Sequence, residues 1–451
     1  NDDNWSVLGT FIAPPDPIGD VGKDHYVQMF NLLTQIFDKE GNTVLGPIPT
    51  SAFFSGIPDS NCAIFDDGDP IVLYDEETDR WLVSQFLASA QDGLCIAIST
   101  SGDPTGSWNA YEFDFTGIGF PDYPKFGFAT GAINVMVNLF DPFQGSALGA
   151  IDKAEMLAGD PATMVLFTGG EGFELLFGWV PGDNDGPVFN NTLPTFFTGP
   201  PFFSDVVLIA ELTPDWQSPE NTGIGFQFVP VTPWDGNLCG GDRGACIDQP
   251  GSGTADGARE EIPEFLQVIP FLEGITDRMM HRAQTRDFRK RKTAMLSHTV
   301  DVDGTGKAGV RWYELRNDKD RGWTLKKEGT FSPDGNHRWM GSIAMTASGD
   351  TCLGYSISSA STYPSIGITG RKGTSNHMNI KEVMAVEGEY VQRLTARWGD
   401  YSSMSIDPVD DTCWYTTEVA TFAESIWPAF ELPFGEVFGW GTRVIQYEVS
   451  P

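Results

Sequence analysis

The sequence predicts an all-β fold, a single β-propeller of seven four-stranded blades with long loop insertions. Three observations predict it. The first is punctuation. A chain of 451 residues with 51 Gly and 30 Pro has too many breakers for long helices, while a hydrophobic fraction of 40% with 12% aromatics supplies a large core. The second is a recurring segment. "DPIVLYDEETDRWLVSQ" from Asp69, "RWMGSIAMTASGDTCLGYSIS" from Arg338 and "RWGDYSSMSIDPVDDTCWYTTE" from Arg397 share one layout. Each has a short apolar run, an acidic or Gly-containing turn, an aromatic or Leu, and a second strand-like run. The third is spacing. Arg278, Arg338 and Arg397 recur at intervals of 60 and 59 residues, inside the range of about 40–60 residues expected of a propeller blade.

Taken in order, units start near residues 25, 69, 122, 204, 278, 338 and 397. The first, "HYVQMFNLLTQIFDKEGN", is an alternating strand that runs into a Gly-Asn turn. The fourth is placed at "SDVVLIAELTP" near Ser204. Hairpin turns are read at "DKEGN", "DEETD", "SPDGN" and "TASGD". The spans around 140–205 and 232–275 are read as insertions, the first holding an aromatic stretch from Phe173 to Phe203 that suits a lid or contact surface. The N-terminal "NWSVLGTFIA" and the C-terminal "TRVIQYEV" both read as strands of the last blade, so that residues 1–451 close as one domain without open edges. No apolar run is long enough for a transmembrane helix.

Charge narrows the partners. With 28 Lys and Arg against 62 Asp and Glu, the net charge is −34, which argues against nucleic-acid binding. Six cysteines, none in a CxxC spacing, point to an oxidising compartment and to disulfides. Cys239–Cys246 is the easiest pair, and Cys62–Cys95 and Cys352–Cys413 follow by elimination. For the last, both cysteines sit in "DTC" of adjacent repeats, where strands of neighbouring blades diverge, so pairing and two buried thiols are both open. The start at "NDDNW" reads as a chain whose signal peptide has been removed.

The turn "STSGDPTGSW" places Ser101, Asp103, Gly106 and Trp108 in the order of the Asp-box of sialidase-like propellers. The Gly is one place later than in the common form. More widely, "VGKDHYVQMFN", "DYPKFG", "HRWMGSIAM" and "RWGDYSSMSIDPVDDTCWYTTE" resemble a family of uncharacterised secreted bacterial proteins over Val21 to Val449. The resemblance implies an extracellular, propeller-like protein and transfers no activity.

Propeller ligands gather where the innermost strands begin. Polar residues at the repeat starts are therefore the candidate ligand-binding set: His25, Asp69, Asp122, Arg278, Arg338, Arg397 and Tyr401, with Lys125 and Asp400 beside them. Three recurrent arginines on one axis would clamp a carboxylate, sulfate or phosphate; the plainer reading is that each stacks on its neighbouring Trp and pairs with an acid. Asp66, Asp67 and Asp69 fall within four residues, a hard-oxygen set suited to calcium, or a solvated turn. The basic run from Arg278 to Lys292 suits an acidic polymer or an exposed strand and loop. GxSxG, HExxH and P-loop motifs are absent, and no catalytic residue is assigned. The reading is a secreted or cell-surface protein that binds a glycan or protein partner, itself included, through one propeller face. The alternative is a sialidase-like hydrolase or lyase acting on an anionic extracellular polysaccharide.

Overall fold

The computed structural model describes residues 2–10, 12–140, 144–168, 177–189, 195–200, 204–240, 244–252, 271–318, 321–392, 395–423 and 437–449. Seven successive antiparallel sheets make a β-propeller. Their innermost strands are Ile18–Val21, Ile71–Asp75, Phe120–Ala129, Val180–Asn184, Ala283–Asp287, His337–Met345 and Ser403–Ile406, in blade order. The first six blades have four strands each, and the seventh has three among the described residues. The innermost strands of the fourth and fifth blades also pair in parallel, Gly182 opposite Ala283 and Asn184 opposite Thr285.

Burial follows position in the blade. The second strand of the third blade, Ala132–Phe140, is buried along nearly its whole length, as expected for a strand covered on both faces. The outermost strand of the fourth blade, Gly223–Pro230, is mostly exposed. Between them, aromatic and branched side chains from adjacent blades interlock, and Trp81, Trp179, Trp312, Trp323 and Trp339 are among the largest fully buried groups.

The ring closes between the seventh and first blades through side chains. Ser403 Oγ accepts from Gly19 N at 2.9 Å and donates to Gly19 O at 2.7 Å. The Tyr26 hydroxyl bonds to Thr416, and its ring stacks on Trp414 with centroids 5.2 Å apart. The stretch read as an N-terminal strand is instead a helix over Asp2–Leu8. It and the segment that follows still fasten to the ring, with Asn4 Nδ2 donating to Asn31 O at 2.9 Å and Trp440 Nε1 to Ile12 O at 2.8 Å.

Two further expectations are corrected. Residues 140–205 are no insertion: they hold Gly145–Asp152 and Met164–Phe167 of the third blade, then Val180–Asn184 and Thr195–Thr198 of the fourth. "SDVVLIAELTP" is the third strand of that fourth blade, not its start. Trp179, Phe196 and Phe197 are accordingly core, while residues 173–176, 190–194 and 201–203 of the aromatic stretch lie outside the described residues. The span 232–275 does leave the blade pattern, as a small sheet of Ala245–Asp248 on Phe271–Glu273.

Cys62–Cys95 and Cys239–Cys246 form as expected, and Cys352–Cys413, left open by the sequence, forms as well. Cys352 and Cys413 stand on the second strands of the sixth and seventh blades with Cα atoms 6.3 Å apart, inside disulfide reach. Full pairing of the cysteines fits an oxidising, extracellular compartment. Among the described residues no helix is long and apolar enough to cross a membrane.

Candidate functional site

The innermost strands of the first three blades begin with one device. Asp16, Asp69 and Tyr123 each precede a proline and each take a left-handed backbone, with φ of 45°, 50° and 55°. Side chains rarely accept that conformation, and a following proline disfavours helical geometry further. Such strain persists where the surroundings over-determine it, and it clusters at functional sites. Here it brings the three side chains to one end of the channel.

What gathers there is a dense set of acids and bases. The Tyr401 hydroxyl donates to Asp69 Oδ2 at 2.6 Å. Lys125, fully buried, holds its Nζ 3.4 Å from the Tyr123 ring centroid and 3.6 Å from that of Tyr401. Its hydrogen bond goes to Pro124 O at 3.1 Å. Arg278 lies with its guanidinium 4.7 Å from the Tyr123 ring and 4.6 Å from that of Phe177, fastened by two bonds of 2.8 Å to Asp277. Asp400 sits 3.6 Å from Arg278 and 3.3 Å from Arg397, and its N–H donates to Asp16 Oδ1 at 2.8 Å. Gly399 N donates to Glu418.

Burial sets the protonation of this group. It pushes Asp69 up to about 6, helped by the neighbouring charge of Asp122 and opposed by Lys125 and the Tyr401 bond. Burial likewise raises Asp122, Asp16 and Glu418. It lowers Lys125 to about 7 against the pull of Asp69 and Asp400. Acids and a base are thus driven toward neutrality in one place, the condition for proton transfer near neutral pH.

Deeper in the channel a second network fills the axis. Arg282 of the fifth blade meets Asp183 at 2.7 Å, Asp185, and Asp20 at 3.8 Å. Asp20 accepts from Tyr74 N at 2.9 Å and Asp183 from Phe128 N at 2.8 Å, which ties neighbouring inner strands together. His281, buried near Lys125 and Arg282, has neither ring nitrogen hydrogen-bonded among the described residues, and burial holds it well below the usual imidazole range.

Of the residues singled out from the sequence, Asp69, Asp122, Arg278 and Tyr401 come together, with Arg397 at the rim. His25 and Arg338 do not join them. His25 begins the second strand of the first blade, near Asp103 of the second-blade turn. Arg338 is spent inside its own blade, bonded twice at 2.7 Å to Glu382 and at 2.8 Å to Asp334. The three arginines therefore do not form one clamp, and the two near the mouth already face carboxylates. The three acids read as a calcium set each accept hydrogen bonds from the protein. Asp66 accepts from Ser51, Asp67 from Ala88 and Ser89, and Asp69 from Tyr401. Among the described residues no group of three or more His, Cys, Asp or Glu is placed to hold a metal ion. The Asp-box turn lies between the third and fourth strands of the second blade, where Asp103 Oδ1 accepts from Thr105 N at 2.9 Å and Trp108 Nε1 donates to Pro104 O at 3.2 Å.

Asp16 and Tyr123 were missed as site residues. Their signal was present: "DPI" at 16–18 and 69–71, and "YPK" at 123–125, are an X-Pro pair repeated at three blade starts. Glu418, which the sialidase-like reading casts beside Tyr401 and Asp69 on residue type alone, is brought to Gly399 by the packing of the second strand of the seventh blade.

No protein-family model and no curated protein matches the chain. Solved structures do. An ulvan lyase aligns at 10% identity over 90% of this chain and 89% of its own, with a TM-score of 0.39. A Dyadobacter fermentans protein of unknown function aligns at 12% identity over 78% and 89%, with a TM-score of 0.35. A Bacillus licheniformis endo-arabinanase aligns at 12% identity over 64% and 88%, with a TM-score of 0.28. Superpositions this partial carry no argument about chemistry, which rests on the residues themselves.

Proposed function

We propose that the protein is a secreted glycan-active enzyme, a hydrolase or lyase, with its site at the channel mouth. One observation supports this above the others: Asp69, raised to about 6, is bonded to Tyr401 within a cluster whose base, Lys125, is lowered to about 7. Burying charged groups is costly unless they are paired or used, and a general acid and base work best with pKa values near the operating pH. Asp69 and Asp122, both only partly buried, are the carboxyls open to substrate, and Tyr401 and Lys125 set their protonation. Arg278 and Arg397 are already matched by Asp277, Asp400 and Glu273. A neutral or weakly anionic sugar therefore suits this mouth better than a polysulfated one.

The test is incubation with a panel of neutral and uronate polysaccharides, following new reducing ends for hydrolysis and unsaturated uronyl absorbance for elimination. The wild type releases product, and Asp69→Asn or Asp122→Asn slows it by roughly a hundredfold or more. Binding without turnover of any substrate supports the second reading, a non-catalytic glycan-binding protein. That reading is favoured by the near-complete burial of Lys125, Arg278 and Tyr401.

A further inference from the structure

The charge of this protein is segregated. From Arg282 to Val386, the fifth and sixth blades, stand 17 Lys and Arg against 10 Asp and Glu, a surplus of seven positive charges in a chain of net −34. Part of that surplus braces the interior: Arg371 holds Glu314 at 2.9 Å, and Arg338 holds Glu382. Others pair on the blade surface, Lys307 with Asp303 and Arg311 with Glu328, and a group of three stands at the end of the channel opposite the mouth.

There the turn Phe288–Arg291 leaves the innermost strand of the fifth blade. Asp287 pins it by accepting from Arg289 N at 2.7 Å and from Phe189 N at 3.1 Å, and Phe288 N closes it on Arg291 O at 2.8 Å. Arg289, Lys290 and Arg291 are consecutive and exposed. The planes of Arg289 and Arg291 lie over Phe189 and Phe288, at 4.6 and 4.7 Å, and none of the three is paired with a carboxylate among the described residues. In a protein with 62 acids, three adjacent unpaired cations on a fastened turn are not explained by folding. Beside them a groove of about 430 Å³ runs between the fifth and sixth blades, lined by Arg291, by Ser348 and Thr374, and by two cations that already face acids in it, Arg316 with Glu314 at 2.9 Å and Lys372 with Asp350 at 3.6 Å; the unmatched charge is that of Arg291 and the turn.

We propose that this groove and turn form a docking site for an anionic polysaccharide, a chain bearing sulfate or uronate groups, separate from the channel mouth. Guanidinium groups match such oxyanions with paired donors, and Ser348 and Thr374 add hydroxyls for sugar oxygens. A second copy of the chain fits less well. A protein interface needs an apolar, aromatic centre, and none of the exposed large hydrophobic side chains lines the groove. At physiological salt, charges more than about 8 Å away are screened, so the local surplus governs contact although the whole protein is acidic.

The experiment uses the full chain and its triple variant Arg289→Ser, Lys290→Ser, Arg291→Ser against immobilised dextran sulfate, polygalacturonate, neutral dextran and single-stranded DNA, at several salt concentrations. The expected result is salt-dependent binding of one or both anionic glycans and none of neutral dextran. The triple variant, with an unchanged melting temperature, should bind on the order of tenfold more weakly and with a shallower salt dependence. Equal binding by the variant, or equal binding of neutral dextran, overturns the proposal. DNA bound as tightly as the glycans overturns the assignment of ligand. Low-salt dimerisation that the variant abolishes, without glycan binding, assigns the surface to self-contact instead. Because the substituted residues are remote from Asp69 and Asp122, loss of turnover at the mouth leaves this result readable, and the reverse also holds.

Discussion

Replacing Tyr401 with Phe removes one hydroxyl and tests the electrostatics of the mouth directly. That hydroxyl is the donor to Asp69 at 2.6 Å. Asp69 is raised from 3.8 to about 6, first by burial and then by Asp122. A raised carboxyl pKa means that the folded state holds its proton more tightly than the unfolded chain. Its stabilising effect is complete below about pH 4 and is lost as pH rises through about 6, at about 1.36 kcal/mol per pKa unit. A hydrogen bond to a charged group is worth about 1.5–3 kcal/mol, so losing it raises Asp69 by a further one to two units. In Tyr401→Phe the loss of stability should extend to about pH 7–8. The assay is urea denaturation of wild type and variant at about pH 5 and about pH 8. The penalty of the substitution should be larger at the higher pH by about 1.4–2.7 kcal/mol. An equal penalty at both would show that the hydroxyl does not act on an ionised Asp69, and the reasoning behind the acid–base site would fail.

Other perturbations check the frame around the site. Arg338→Ala leaves Glu382 without its two bonds and should cost about 3–5 kcal/mol in denaturation, whereas Arg338→Met with Glu382→Leu should recover most of that loss. Removing the Cys352–Cys413 disulfide frees a sequence separation of 61 residues; the loop-entropy model sets the loss at about 4 kcal/mol, read from melting under oxidising and reducing conditions. Trp414→Ala deletes the ring that stacks on Tyr26 at ring closure, at about 3–5 kcal/mol, and limited proteolysis should then cut first near the first or seventh blade. Gly354→Ala would put a Cβ 2.5 Å from the Tyr415 ring of the next blade; overpacking there should cost about 1–3 kcal/mol by denaturation.

The blade repeat was legible because strand pairs and turns are local. The segment 401–418 reads as two strands and an acidic turn, and it is Ser403–Ile406, a turn at Asp407–Thr412, and the start of Cys413–Ala423. The fourth blade was misplaced because its first two strands run through residues whose Pro, Gly and aromatic content resembles a loop. The N-terminal helix was misread because Trp, Val and Leu in a short stretch suit either a helix or a strand.

Local pattern in the sequence was enough for the class of fold, the number of blades and the pairs Cys62–Cys95 and Cys239–Cys246. Tertiary structure decided which residues meet at the site. Arg278 and Arg338 recur 60 residues apart, yet Arg278 stands ahead of its inner strand, beside Tyr123 at the channel mouth, and Arg338 stands within its own, turned toward Glu382. The difference comes from partners far along the chain and from backbone geometry at single residues, and no local periodicity encodes either. Protonation was equally out of reach. Whether Asp69 is an ordinary acid or one poised near neutrality depends on burial and on Asp122, Lys125 and Tyr401, which come from two other blades and reach it only once the ring has closed.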